Sequence, residues 1–310
     1  MSVLFASVRP LERAENLNAV FKAYDGEKTF VQMGVNRRHP EITSGKHSLL
    51  VADEFPAETP GKIVLIGHGM EGGKTYGLDQ PHPYVTRRET DLLTCVVSAS
   101  GAAIAQKAKQ CGVPEDRVYP LGAPRTDAYY GKTKGHGGTF LCEKRAYLYA
   151  PTYRGRMEPP APTIEWGVID SLLTDTEVMV VKSHMMTGRL VRGEYRHITE
   201  VPNSEPSTPY LIDCDVLITD YSSIMFDAHL LGKPVVLFDT NTDYLSARGM
   251  YRPYPSGYAS RFCRDEYSLV KTMRIAKEQG EEDLACRDFS AGACDGHSTE
   301  RVVDLIRRME

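Results

Sequence analysis

The chain has 310 residues, of which 41% are hydrophobic and 25% charged, the composition of a soluble globular protein with length for about two domains, each able to bury its own core. No apolar run approaches the roughly 20 residues of a membrane span, and the N-terminal MSVLFASVRPLERAENL turns charged too early for a signal peptide, so a cytoplasmic protein is expected. The net charge of -4 divides unevenly: residues 1–150 carry 19 Lys and Arg against 16 Asp and Glu, the remainder 18 against 25, which fits an anionic partner on the first half or an accident of surface composition, and nothing resembles a basic stripe for nucleic acid.

In chain order, MSVLFASV reads as a strand and RPLERAENLNAVFKAY as a helix; HSLLVADEF, KIVLIG, LLTCVVS and RVYPLG read as further strands. The segment Ala99 to Cys111 reads as a helix stopped by Gly112. A glycine-rich polar interval, Gly131 to Gly138, then breaks the pattern and is expected to be a linker. The alternation restarts with RAYLYA, a helix around Thr163 to Leu173, EVMVVK, RHITEV and a short helix from Thr208. Within Asp213 to Asp239, DCDVLITDYSSIMFDAHLLGKPVVLFD, two β-branched runs flank a helix with Ser222 or Ser223 as N-cap and Gly232 as its stop. Helices near Glu266 to Gln279 and Thr299 to Met309 close the chain. Two successive strand-helix alternations imply an α/β protein of two Rossmann-like, doubly wound domains facing a cleft. Their expected limits are residues 1–135 and 140–296, with a terminal helix over 297–310 that packs back on the first domain. The seven cysteines (95, 111, 142, 214, 263, 286, 294) are odd in number and never form C-x-x-C, which points to reduced thiols and away from disulfides or a zinc site.

In open α/β sheets ligands bind beyond the carboxyl ends of the strands, and the residues there are unusual. They include Gly67-His68-Gly69, Gly122 to Asp127 with Arg125, Pro151-Thr152-Tyr153-Arg154, Lys182-Ser183-His184, Asp220-Tyr221-Ser222-Ser223 and, after Asp239, Tyr244 and Arg248. Together they form a diphosphate-binding inventory. Each has a plainer reading beside it. The serines could be simple helix caps, His68 a turn residue, His184 a satisfied interior histidine, Arg125 and Arg154 surface ion pairs, and Asp227 a solvated carboxylate. Asp213-Cys214-Asp215 spells D-x-D but precedes a buried strand, so no metal is assigned to it, and the spacing before Lys74 does not meet the phosphate-loop pattern.

The blocks ITDYSSIMFDAHLLGKPVVLF, DYLSARGMY, DGHSTERVVDLI, YAPTYR, GAPRTD and HG ahead of a lysine, running in order from Lys62 to Arg307, resemble the CDP-glycerol glycerophosphotransferases, the teichoic acid primases and polymerases. The resemblance implies a GT-B-like fold and transfer of glycerol phosphate, or a related polyol phosphate such as ribitol phosphate, from a CDP-alcohol to a hydroxyl acceptor during cell-wall or capsular polymer synthesis. It implies Ser222 and Ser223 on the donor diphosphate, Arg154, His184, Asp227 and Arg248 as further donor-side residues, and His68 as general base. Lys74 and Arg125 would touch acceptor or phosphate, and neither cofactor nor metal is called for. The implied partners are CDP-glycerol or another CDP-polyol and a polyol-phosphate or glycan acceptor, lipid-linked ones included, with peripheral association at the inner membrane face. The chain departs from the family around His68, where Gly67 precedes and MEGGK follows, and at Met185, where the family tends to proline. Two other readings stand beside this one: a GT-B-like sugar transferase or nucleotide-sugar epimerase, and a CDP-alcohol-binding protein without catalysis.

Overall fold

The computed structural model describes all residues except Met1, Val35, 58–60, 68–93, 153–163, 185–187, 240–249, Tyr251, Ser260 and 280–283. The chain divides into two compact units, residues 1–130 with 288–310, and residues 131–287.

The first unit is built on β1 (Val3–Ser7), β2 (Lys28–Gln32), β3 (Leu49–Ala52), β4 (Lys62–Leu65), β5 (Thr94–Ser98) and β6 (Val118–Pro120), in the order β2-β1-β3-β4-β5-β6. Every pairing is parallel. Parallel strands are covered on both faces, which is why β1 and β3 are apolar almost without alternation and buried throughout. Helix α1 (Glu15–Ala23) lays Leu17 and Val20 on this sheet, and Phe21 meets Phe5 edge-on at 5.1 Å. Helix α2 (Ile104–Cys111) ends at Gly112 with φ 65°, the left-handed stop that glycine supplies at little cost. Its expected start at Ala99 is instead a tighter turn, Gly101–Ala103, opened by the Ser100 hydroxyl accepting from the Ala102 amide.

The second unit contains β7 (Arg145–Tyr149), α3 (Trp166–Leu172), β8 (Glu177–Val181), β9 (Ile198–Glu200), α4 (Thr208–Asp213), β10 (Val216–Thr219), α5 (Ile224–Leu230), β11 (Val235–Phe238), β12 (Arg261–Cys263) and α6 (Glu266–Gln279). Its sheet is also parallel, in the order β12-β11-β10-β7-β8-β9. Counted from β9, this is the doubly wound order 3-2-1-4-5-6, and the winding reverses between β7 and β10. One face is packed by Trp166 and Ile169 of α3, by Leu173 just past its end, and by Leu269, Val270 and Met273 of α6. The buried Glu177 carboxylate joins these layers, accepting from Arg274 at 2.6 Å and from the Tyr147 hydroxyl at 2.8 Å. Burial works against its ionisation, but the bonds from Arg274, Tyr147 and Thr174 outweigh this and bring its pKa to about 2.

The division between units falls inside α7 (Leu284–Ala291), and α8 (Ser298–Met309) buries Val302, Val303, Leu305 and Ile306 in the core of the first unit. The Asp127 carboxylate receives the amides of Ser298 and Thr299 at 3.0 and 2.7 Å, capping α8 from a neighbouring loop. Gly122 is required here. It has φ 90°, and a Cβ on it would lie 2.1 Å from Ser298 Oγ and 2.7 Å from Ala293 O.

The interval expected as a linker is held on the second unit. The amides of Gly135, Gly137 and Thr139 and the Thr139 hydroxyl all donate to Asp213 at 2.8 Å. Asp215 accepts from Lys134 at 2.6 Å, Lys277 at 2.7 Å and the Ala146 amide at 2.8 Å. Both carboxylates of the D-x-D are thus taken up by the chain's own donors, and burial notwithstanding, those bonds hold both below the usual carboxylate range. All seven cysteines are free thiols. Among the described residues no helix is long and apolar enough to cross a membrane.

Candidate active site

In the second unit the carboxyl ends of β7, β10 and β11 are tied into one platform at the point where the winding reverses. The Thr219 hydroxyl donates to the Ala150 carbonyl at 2.6 Å, and the Ala150 amide donates to Ile218 O at 2.9 Å. One step further, Asp220 Oδ1 accepts from the amides of Thr152 at 2.7 Å and Tyr221 at 2.6 Å, and this carboxylate is 1% exposed. The Tyr221 hydroxyl donates to the buried Asp239 just after β11, and its ring packs on Tyr254 with centroids 4.7 Å apart. The acidic residues of the block therefore hold the strand ends together, which leaves the serines that follow to face outward.

Ser222 is half-buried and Ser223 exposed, and neither hydroxyl makes a hydrogen bond among the described residues. Ser223 occupies the N-cap position of α5, as expected, but with helical backbone angles and no side-chain capping bond. A capping serine needs extended angles so that its oxygen can turn back to the helix amides. The reading of these serines as plain caps therefore fails on geometry. Helix α5 is seven residues long and stops at Gly232, φ 65°, so its dipole is a minor contribution at this edge.

Asp227 lies on the inner side of α5, 3% exposed, which excludes the solvated-carboxylate reading. His184 stands beyond the end of β8 and is exposed, so it is not an interior histidine. Lys182, just before it, is 7% exposed, donates its amide to Tyr149 O at 2.9 Å, and aims its ammonium at the carbonyls of Ser183 and Asn203, at 3.2 and 3.5 Å. Burial pulls the lysine below its ordinary pKa, while the fields of Glu205 and Glu200 act the other way. A cation buried against carbonyls one strand from the reversal adds positive charge to this edge.

The remaining candidates divide between the other unit and the undescribed residues. His68, Lys74, Arg154 and Arg248 lie outside the described residues. Arg125 belongs to the first unit, where its amide donates to Asn16 Oδ1 at 2.9 Å and its guanidinium to the Tyr129 hydroxyl at 3.0 Å, with Glu15 at 4.0 Å. Asn16, 2% exposed, also donates to the carbonyl of Gly67 at 3.2 Å, so one side chain clamps the loops that follow β4 and β6. A further polar cluster follows β1 and β3. The Ser7 hydroxyl donates to Asp53 at 3.0 Å, Arg9 bridges Asp53 and Glu54, and Arg37 pairs with Glu54 at 3.1 Å. Burial pushes the Asp53 carboxyl up to about 6 against the pull of Arg9 and Ser7. Asp220 opens the Asp220-Tyr221-Ser222-Ser223 block and Asp239 follows β11 directly, whereas Asn16, on α1, and Asp53, just past β3, carry no motif.

A family model described as CDP-glycerol:poly(glycerophosphate) glycerophosphotransferase matches residues 3–308. The teichoic acid ribitol-phosphate primase of Bacillus spizizenii is 31% identical over 228 residues, covering 68% of this chain and 58% of that protein. The teichoic acid poly(ribitol-phosphate) polymerase of the same organism is 25% identical over 286 residues, covering 83% and 46%. The chain thus spans about half the length of the curated relatives it matches. Among solved structures, the wall teichoic acid polymerase TagF superposes with a TM-score of 0.76 at 18% identity, covering 99% of this chain and 88% of that one. A Staphylococcus aureus MnaA–UDP co-structure does so at 0.60 and 14%, covering 99% and 96%. At such identities the likeness speaks for the fold, a two-domain α/β architecture of the GT-B kind.

Proposed function

The chain belongs to the CDP-glycerol:poly(glycerophosphate) glycerophosphotransferase family, and on that premise we propose that it transfers glycerol phosphate, or a related polyol phosphate, from a CDP-alcohol to a hydroxyl acceptor in the synthesis of a teichoic-acid-like or capsular polymer. In this reading the hydroxyls of Ser222 and Ser223 donate to the donor's diphosphate, with Arg154, His184 and Arg248 supplying positive charge and Asp227 a further donor-side contact. His68 takes the proton of the acceptor hydroxyl as that oxygen bonds to the β-phosphorus, the bond from this phosphorus to the bridging oxygen breaks, and CMP leaves with the bridging oxygen. Lys74 and Arg125 are assigned to the acceptor or its phosphates. Positioning and charge neutralisation supply most of the rate, as in other phosphoryl transfers. The acceptor is a polyol phosphate or glycan, and the protein works at the inner membrane face when that acceptor is lipid-linked.

The observation that carries this reading is the pair of unengaged serine hydroxyls where the second sheet reverses its winding. The test is CMP release from CDP-glycerol and CDP-ribitol, with a polyol-phosphate acceptor, against turnover of a UDP-sugar. Acceptor-dependent CMP formation from one of the CDP-alcohols is expected. Turnover of the UDP-sugar alone would replace this reading with a sugar transferase or epimerase, and tight CDP-alcohol binding without CMP release would make the protein a binder.

A further inference from the structure

Beside the two serines a third hydroxyl is left over. Thr152 follows β7, and its amide is fixed by Asp220 Oδ1, the same oxygen that accepts from the Tyr221 amide, so Thr152 sits directly against the start of the Tyr221-Ser222-Ser223 turn. The residue is 6% exposed, and its Oγ1 has no hydrogen-bond partner among the described residues. Leaving a buried hydroxyl unmet is costly. A neighbouring threonine hydroxyl does find a carbonyl: Thr219, the last residue of β10, donates to Ala150 O at 2.6 Å in the same platform. A valine would fill the same β-branched volume without that cost, so packing does not account for the hydroxyl. Two other unpartnered buried atoms, Gln106 Oε1 and Ser298 Oγ, belong to the first unit. Thr152 is set apart by its position, on the first of the two strands between which an open α/β sheet receives its ligand.

We infer that the Thr152 hydroxyl is a direct ligand contact of the second unit, donating to a phosphate oxygen of the nucleotide's diphosphate alongside Ser222 and Ser223. The inference rests on the proposed donor site and adds to it a contact from the neighbouring strand. Two adjacent strand ends then hold the diphosphate from both sides, Thr152 from β7 and the serines from β10. Asp220, by binding both amides, sets the spacing between these hydroxyls without itself meeting the anion, whose charge it would repel.

The test is titration of CDP, UDP and inorganic pyrophosphate into the full-length wild-type, Thr152→Val and Thr152→Ser proteins, with thermal unfolding of each. For Thr152→Val about a tenfold loss of CDP affinity is expected, the worth of one hydroxyl bond to a charged oxygen. Its Tm should be unchanged or higher, because an unmet buried hydroxyl has been removed, and Thr152→Ser should bind close to wild type. A lowered Tm with unchanged affinity would make the hydroxyl structural and overturn the inference, as would unchanged affinity at unchanged Tm. If the wild type prefers UDP or pyrophosphate to CDP, the cytidine reading fails while Thr152→Val must still weaken the preferred ligand. Binding of none of the three by the wild type would remove both.

Discussion

Turnover of a His68→Ala protein is expected to fall by about 10²- to 10⁴-fold, the usual contribution of a positioned general base, with binding of the CDP-alcohol unchanged. Histidine suits the task because its unperturbed pKa, near 6.5, lies close to working pH. The residue that precedes His68 is held by the fold. Strand β4 delivers the chain to Gly67, which takes φ 74°, and the buried Asn16 side chain holds the Gly67 carbonyl at 3.2 Å. That conformation favours glycine, and the clamp also takes the Arg125 amide, so the two loops leave the first sheet in a set relation. Ser222 and Ser223 belong to the second unit, so the substitution leaves them intact. Steady-state CMP release, compared with donor affinity by titration, separates the two effects. Wild-type turnover in the variant would remove His68 from the base role.

Asp213→Ala is expected to destabilise the protein by about 3–5 kcal/mol, read as a Tm lower by roughly 10 °C. Four donors converge on this fully buried carboxylate, three of them backbone amides of the 135–139 loop. Without it the loop must take up water or leave donors unmet. The loop cannot simply be rebuilt by larger residues either, since a Cβ on Gly137 would lie 2.2 Å from Pro209 O. Thermal unfolding of Asp213→Ala beside wild type gives the value directly. A Tm within about 2 °C of wild type, under 1 kcal/mol on the same scale, would show that the loop holds itself.

The central strands of both sheets were legible because strands covered on both faces are apolar runs bounded by polar residues. Val216 to Thr219 and Val235 to Phe238 are of this kind. The edge strands β2 and β12 carry no such signal. β2, Lys-Thr-Phe-Val-Gln, is half polar because one side of it lacks a neighbour, and β12 is three residues long. Helix α7 is likewise silent in the sequence, a segment too short and mixed to show a periodic face. The run from Gly131 to Gly138 opens the second unit, and of its glycines Gly137 is the one whose missing Cβ permits close approach to Asp213.

For the site, the serine pair was visible as a motif, whereas the parts that organise it were not. Asp220 and Asp239 look like ordinary strand-end acids until strand order brings β7, β10 and β11 side by side. Strand order is a long-range property, and no local window of the chain contains it. For the same reason Thr152, some 70 residues from Ser222, could be placed beyond a strand end but not next to the serines.

The most direct measurement is isothermal titration of the wild-type protein and a Ser222→Ala, Ser223→Ala double variant with CDP-glycerol, CDP-ribitol, CDP and UDP. The wild type should prefer one CDP-alcohol. The double variant should lose about a hundredfold in its affinity, two hydroxyl–phosphate bonds at roughly 1.5 kcal/mol each, with its Tm unchanged because neither hydroxyl is bonded among the described residues. Equal affinity for cytidine and uridine nucleotides, or a double variant that binds the CDP-alcohol as tightly as wild type, would contradict the assignment of this strand-end platform as a CDP-alcohol site.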